Sequence, residues 1–383
     1  MKARIIAYYL PQFHPIPEND KVWGPGFTEW TNVAQARPLF KGHNQPRIPA
    51  DLGFYDLRLP EVREQQAELA REAGVEGFCY WHYWFGRGKM LLQRPFQEVL
   101  QSGKPDFPFC LAWANHDWTT GTWQVNGGSS MIAKQEYCGI DDYRAHFEYV
   151  LPAFLDHRYI TVDHKPFFMI YDPYKFPDVE RFMACWRQWA LENGLPGVLF
   201  AAQTNSTSTI RRRKDGSLER VLPDIKSSAA VYQSLLDIGF DAVVSNGKPR
   251  AEMIHLGKIK RNILKGLHDY LSWLPANRLK YDKVIPHFFA PEDTWENVFP
   301  VVMPQWDRSP RTGTSDGIYV NATPQNFKKH LQQALEVIKD KSKERQILIL
   351  RSWNEWAEGN YVEPDLLYGH GFLDAIKEVI RSS

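Results

Sequence analysis

The chain is short of cysteine: its 383 residues hold four, Cys79, Cys110, Cys138 and Cys185, far apart and without metal-ligand spacing. That excludes a disulfide scaffold. Cys79 and Cys110 sit in apolar runs and read as small hydrophobes, which fits a reducing compartment. No run of 18 apolar residues occurs, and no secretory leader follows Met1-Lys2-Ala3-Arg4, so the expectation is a soluble, cytoplasmic protein. Charge of one sign is missing too. A net charge of +1 gives no global attraction to nucleic acid. After the first apolar run, Tyr9-Leu10-Pro11-Gln12-Phe13 lacks the glycine-rich turn that would cradle a phosphate, which argues against a doubly wound dinucleotide fold. His14, His82 and His116 lie on separate segments, each a site-liner or a structural group, so neither a metal nor a cofactor is expected. Internal repeats and low-complexity tracts are absent.

Aromatic side chains are abundant, with 14 Trp, 17 Tyr and 22 Phe, many of them clustered. Eight apolar runs, at residues 3–9, 77–85, 107–114, 166–171, 197–202, 240–244, 299–304 and 347–351, read as strands. Helical spacing at 61–73, 95–101, 141–155, 178–193, 324–339 and 366–380 separates or follows them. The alternation predicts an α/β fold of the (β/α)8 TIM barrel type, one domain over residues 1–383 with extended βα loops. Residues 12–59 form a long, helix-poor segment rich in Pro, Gly and Trp, of a length that is usually functional.

Barrel enzymes build their sites where strands end, and polar and aromatic residues collect there in this sequence. The candidates for substrate binding are Tyr9, His14, Glu29, Trp30, Tyr80, His82, Tyr83, Trp84, Trp113, Asn115, Asp117, Tyr171, Gln203, Gln305, Trp306, Asn354 and Trp356. Trp84, Trp113 and Trp306 are expected as stacking platforms. Asp117, Asp172 and Asp307 are either ligands for sugar hydroxyls or helix caps.

The catalytic candidates are Glu355 and Glu358, in Ser352-Trp353-Asn354-Glu355-Trp356-Ala357-Glu358-Gly359 after the last strand. On a continuing strand, residues three apart point to opposite faces, so the strand must stop near Trp353 and turn, with Gly359 permitting the bend. Two acids beside tryptophans suit sugar chemistry, in which one carboxyl is protonated while its partner stays ionised.

Two insertions interrupt the alternation, at about 205–228 and 248–283. The second carries nine Lys/Arg against three acids, with Ile259, Ile263, Leu267, Tyr270 and Leu274 at helical spacing. Such a helix either lies on an anionic membrane or acidic acceptor, or packs its stripe on the barrel.

The segments Ala7-Tyr8-Tyr9-Leu10-Pro11-Gln12-Phe13-His14, Gly26-Phe27-Thr28-Glu29-Trp30, Gly77 to Trp84, Trp113-Ala114-Asn115 and Ser352 to Gly359 resemble, in order, the WbsX-like proteins of bacterial surface-polysaccharide loci. More distantly the chain is similar to glycoside hydrolase family 99, the endo-α-1,2-mannosidases and mannanases, which are (β/α)8 barrels. That resemblance implies a retaining glycoside hydrolase acting on a bacterial glycan through a 1,2-anhydro sugar. Glu355 would deprotonate the 2-hydroxyl, and Glu358 would protonate the departing oxygen and then activate acceptor or water. Ala357 departs from the family's usual residue between Trp and Glu. A glycosyltransferase of O-antigen or capsular polysaccharide assembly is the alternative, and a carbohydrate-binding protein without turnover the third. The implied partner is an oligosaccharide or glycoconjugate.

Overall fold

Parallel strands buried on both faces must be covered by helices, and the apolar runs meet that condition by closing on themselves. The computed structural model describes residues 3–120, 130–205, 207–214, 218–221, 227–257, 278–314 and 317–382. Its central sheet contains β1 (Arg4–Tyr9), β2 (Gly77–Trp84), β3 (Phe109–Trp113), β4 (Lys165–Ile170), β5 (Leu199–Thr204), β6 (Ala242–Ser245), β7 (Val298–Val302) and β8 (Ile347–Leu350). Each pairs in parallel with its sequence neighbours, and β1 also pairs with β8 (Arg4 opposite Ile347), which completes an eight-stranded ring. The expected (β/α)8 barrel is therefore the fold.

The pleat sorts side chains. On the inside, Tyr8 stacks on Trp81 at 4.6 Å and its hydroxyl donates to Gln203 Oε1 at 2.5 Å. The loop after β1 holds two short helices, α1 (Pro17–Trp23) and α2 (Glu29–Gln35); on the outside, alternate strand residues meet the covering helices, α3 (Pro60–Ala73), α4 (Arg94–Ser102), α5 (Ile140–Phe154), α6 (Val179–Glu192), α7 (Ser228–Asp237), and, past α8 (Lys248–Leu256) of the second insertion, α9 (Pro324–Ile338) and α10 (Gly371–Arg381). Trp186 of α6, fully buried, packs its ring on Phe168 of β4 and Phe200 of β5. Cys79 and Cys110, neighbours in register across β2 and β3, are free and completely buried.

Several elements differ from the sequence reading. The segment 12–59 contains two seven-residue helices, α1 and α2, each too short to show a 3.6-residue apolar repeat. Helix α10 starts at Gly371 rather than 366, because the Asp365 carboxylate accepts from the Leu367 and Tyr368 N–H groups and holds a turn there. The first insertion carries a hairpin, Thr209–Arg212 with Leu218–Val221, whose Arg211 and Arg213 pair with Glu219. In the second, the stripe from Ile259 to Leu274 lies outside the described residues. Its described flanks bury Ala251 and Leu256 in a cluster with Tyr281, Phe288 and Trp306. Among the described residues, no helix is long and apolar enough to cross a membrane.

Beyond β8 the chain turns through a single 3-10 turn, Trp356–Glu358, and leaves it at Gly359 with φ 58°. A Cβ added there would stand 2.9 Å from the Asp307 Cβ, so the turn and the loop after β7 touch with no room between them. Gly359→Ala should cost about 2 kcal/mol, from left-handed backbone and overlap together. A urea-unfolding midpoint equal to that of the wild type would contradict this packing.

Candidate active site

The Ser352–Gly359 turn is fixed by backbone before side chains enter. The Trp353 N–H donates to the Tyr8 carbonyl (2.8 Å), the Val362 N–H to Trp353 (3.0 Å), and the Asp307 N–H to the Glu358 carbonyl (2.8 Å). Asn354 clasps Leu10 from both sides, accepting from its N–H at 2.7 Å and donating to its carbonyl at 3.0 Å. Trp353 and Trp356 face inward and are fully buried. Trp356 stacks on Tyr361 at 3.7 Å and donates to Glu363, a buried carboxyl that also accepts from Tyr55 and Gln66. The tryptophans between the two acids are thus anchors of the turn. They are not walls of the site.

With both tryptophans turned inward, Glu355 and Glu358 face the other way, into a cavity of about 460 Å³ at the C-terminal ends of the strands. Its aromatic lining comes from other loops: Trp81, Tyr83, Trp118, Tyr171 and Trp306. Tyr83 lies parallel to Trp118 at 5.6 Å, and Trp81 meets Tyr171 edge-on at 5.5 Å. Asp117 and Asp172 line it too, although each already accepts a backbone N–H, from Gln135 and Tyr174 respectively.

One guanidinium organises the acids. Arg311, on the short helical turn Ser309–Thr312, donates to Glu358 Oε1 (2.6 Å), Glu355 Oε1 (2.6 Å) and Glu29 Oε1 (2.6 and 2.9 Å). The two carboxyls facing the cavity are therefore held within the span of a single fork. Arg308 and Arg351 add charge beside Glu358, at 3.1 and 3.4 Å. Glu29, the first residue of α2, is completely buried behind Arg311. Burial pushes its carboxyl up to about 8, opposed by Arg311 and reinforced by Glu355. Burial also pushes Glu355 up, again against Arg311 and with the charge of Glu358. For Glu358 burial acts in the same sense, but Arg311, Arg308 and Arg351 outweigh it and hold the group down at about 2. Three carboxyls around one cation cannot all stay ionised at low cost, and the arginines favour the charge on Glu358 while burial pushes Glu29 and Glu355 the other way.

The predicted binding residues separate by the pleat. Tyr83, Asp117, Tyr171 and Trp306 line the cavity with the two acids. Tyr80, His82 and Trp84 are on the other parity of β2 and point at the helices. Tyr80 packs on Phe96 of α4, His82 bonds His146 of α5 at 2.8 Å, and Trp84 stacks on that same imidazole at 4.6 Å. Trp113 is buried against Phe182 of α6, so Trp84 and Trp113 are core and not platforms. Tyr9 donates outward to Gln66 of α3, and Trp30 to the Tyr55 carbonyl. His14 is buried beside a separate groove with Ile16 and Leu91. Asn115 ties the β3 loop to Asp172, Gln203 receives Tyr8 inside the barrel, and Gln305 receives Arg47. Asp307 lies outside the cavity as a hub for His43 (2.8 Å) and Gln45 (2.6 Å); despite burial, the His43 bond and the charge of Arg47 hold it well below the usual carboxylate range. The sequence reading missed Gln12, Trp81, Trp118, Lys175, Arg308, Arg311 and Arg351, all in the lining. For Trp81 and Trp118 strand parity and position carried a signal; for the arginines nothing local did. Among the described residues no cluster of His, Cys, Asp or Glu could hold a metal ion.

The same fold occurs in the GH99 endo-alpha-mannosidase from Bacteroides thetaiotaomicron, at a TM-score of 0.59 and 15% identity, covering 99% of this chain and 96% of that one. A glycoside hydrolase-like protein matches at a TM-score of 0.58 and 13% identity, covering 99% and 94%. In sequence, the uncharacterized protein WxcX of Xanthomonas campestris pv. campestris is 34% identical over 384 residues, covering 99% of this chain and 50% of the relative, in two strains. The chain thus spans about half the length of the curated relatives it matches. The family model described as glycosyltransferase WbsX matches residues 5–376, nearly the whole of the barrel and its loops, and the chain belongs to that family.

Proposed function

We propose that this protein is a retaining carbohydrate-active enzyme, of glycoside hydrolase type, in which Glu355 and Glu358 act on adjacent atoms of one sugar. The observation that carries this reading is that both carboxyls leave one turn, are spanned by one guanidinium and open into one aromatic-lined cavity. Two carboxyls from a single turn can both reach the C1–C2 edge of one ring, where the 2-oxygen and the leaving oxygen stand trans to each other.

In the first step Glu355 takes the proton of the 2-hydroxyl. That oxygen bonds to the anomeric carbon as the bond to the leaving oxygen breaks, and Glu358 gives its proton to the leaving oxygen. In the second step Glu358 takes a proton from water, whose oxygen bonds to the anomeric carbon. The bond to the 2-oxygen breaks, and Glu355 returns its proton to it. Two inversions give net retention. Trp81, Tyr83, Tyr171 and Trp306 supply the apolar faces on which a pyranose stacks. An acceptor hydroxyl in place of water makes the same sequence a glycosyl transfer, a second reading favoured by the description of the matching family model. The endo-mannosidase likeness suggests mannose-containing glycans as the first substrates to try.

On such substrates Glu355→Gln and Glu358→Gln should each lower kcat by about 10²–10⁴-fold, the usual worth of a positioned proton-transfer group. Glycosides with a nitrophenyl leaving group should partly rescue Glu358→Gln and not Glu355→Gln, and a 2-deoxy glycoside should be inert. Comparable turnover of the 2-deoxy compound would rule out the anhydro route.

Glu29 touches Arg311 and not the cavity, so its role is to position that guanidinium. Its folded-state value, about 8, lies above the ordinary 4.5. Its favourable contribution is therefore complete below about pH 4.5 and is lost as pH rises towards 8. The stability of Glu29→Gln relative to wild type should accordingly rise between pH 5 and pH 8 in urea unfolding. A difference independent of pH would contradict the burial of a protonated carboxyl there.

A further inference from the structure

The cavity carries charged groups at both ends. Strands β7 and β8 are neighbours, and across the barrel from them lie β3 and β4. From the β7–β8 side come Arg308, Arg311 and Arg351 with Glu355 and Glu358, while Asp117 comes from the β3–β4 side together with Asp172, which Lys175 approaches at 3.4 Å. Arg311 answers the buried glutamates, but a neutral sugar gives no reason for a further pair of guanidinium groups, Arg308 and Arg351, at the same end of the cavity. Their arrangement also opposes the chemistry: a group that must deliver a proton to a leaving oxygen has cations at 2.6, 3.1 and 3.4 Å. Arg311 is committed to the three glutamates. Arg351 is differently placed. Its guanidinium sits 5.1 Å from the centre of the Trp306 ring and reaches Glu358 by one long bond of 3.4 Å, though guanidinium carries five N–H donors. Arg308 approaches the same carboxylate from the adjoining loop. Two guanidinium forks that border a cavity and converge on one point suit a tetrahedral oxyanion, which has an oxygen for each fork.

We propose that Arg308 and Arg351 form a subsite for a phosphate group carried by the substrate, placed beside Glu358 on the β7–β8 side of the cavity. The inference rests on the reading of Glu358 as the proton donor and deepens it. The phosphate takes up the two guanidinium groups, Glu358 loses their charge, and it can then bind the proton that the leaving oxygen needs. Substrate binding thereby arms the acid, and a sugar without the anion leaves it ionised. The sugar itself lies towards Asp117 and Asp172, which accept from its hydroxyls. Two sources supply this chemistry, a glycosyl phosphate donor such as a nucleoside diphosphate sugar and a phosphate substituent within a glycan.

Calorimetry on the full chain tests the subsite apart from turnover. The probes are inorganic phosphate, mannose 1-phosphate, a nucleoside diphosphate mannose and methyl mannoside, against wild type, Arg308→Gln, Arg351→Gln and Arg351→Lys. Mannose 1-phosphate should bind at least tenfold more tightly than methyl mannoside, and added salt should weaken only the former. Each Arg→Gln change should remove tenfold or more of that preference, read as the ratio of the two affinities in the same variant, with Arg351→Lys, which keeps the charge, in between. Binding of the phosphate probe should take up a proton, read from its heat in buffers of different ionisation enthalpy, and Glu358→Gln should abolish that uptake. Tighter binding of the nucleoside diphosphate sugar than of mannose 1-phosphate assigns the site to a donor; equal binding assigns it to a phosphorylated glycan. Equal affinity for charged and neutral sugars, or a preference unchanged in the arginine variants, overturns the subsite. If neutral glycosides are then still turned over through Glu358, the catalytic reading survives without it. If phosphate binds as described and no substrate turns over, the catalytic reading fails instead.

Discussion

Everything in the site hangs on the Arg311 guanidinium. It is buried, it touches three glutamates at once, and those glutamates come from opposite ends of the chain: Glu29 from the first loop, Glu355 and Glu358 from the last. A buried cation is tolerable only when its donors are satisfied, and a cluster of buried carboxyls only when a cation is near. Neither half could stay dry without the other. The long segment between β1 and β2 is therefore more than a lid. It supplies Glu29, and through His43, Gln45 and Arg47 it also grips Asp307, whose backbone N–H is bonded to the Glu358 carbonyl. The acids are positioned by a layer of charge and hydrogen bonds that the barrel alone would not provide.

The fold was legible in the sequence because a barrel repeats one instruction eight times, an apolar run followed by a helical period. The acids were legible because spacing and strand position constrained them: three residues apart, after an apolar run, closed by a glycine. Other parts failed for identifiable reasons. At the end of β2 a strand sends neighbours to opposite faces, so Trp81 and Tyr83 point to the cavity while Tyr80, His82 and Trp84 point to the helices, a parity that a list of clustered aromatics does not respect. Trp356 adjoins the acids in sequence and is a natural binding candidate, yet a single tight turn that points its carboxyls into the cavity buries the residue between them. The arginines gave no signal, since an Arg on an irregular loop is ordinarily solvated and its role depends on carboxyls distant in sequence. Helices α1 and α2 escaped because seven residues are under two full turns.

The charge around Glu358 separates this site from a simple pair of sugar-cleaving acids. Burial favours protons on all three glutamates, and the arginines decide which of them goes without. In the resting arrangement the arginines favour the charge on Glu358, and the groups pushed towards protonation are Glu355 and Glu29. Turnover by the proposed route requires the proton to stand on Glu358 and the base to be Glu355. On that route the substrate has to shift the balance, and the proposed phosphate at Arg308 and Arg351 would do so.

The central claim is that both acids serve the C1–C2 edge of one sugar through two successive displacements at the anomeric carbon. The stereochemistry of the first-formed product tests it most directly, and it holds alike for water and for an acceptor hydroxyl. Proton NMR of a reaction begun at high enzyme concentration, read before mutarotation, should show the anomer of the substrate. A first-formed product of opposite configuration would mean a single displacement and would contradict the account.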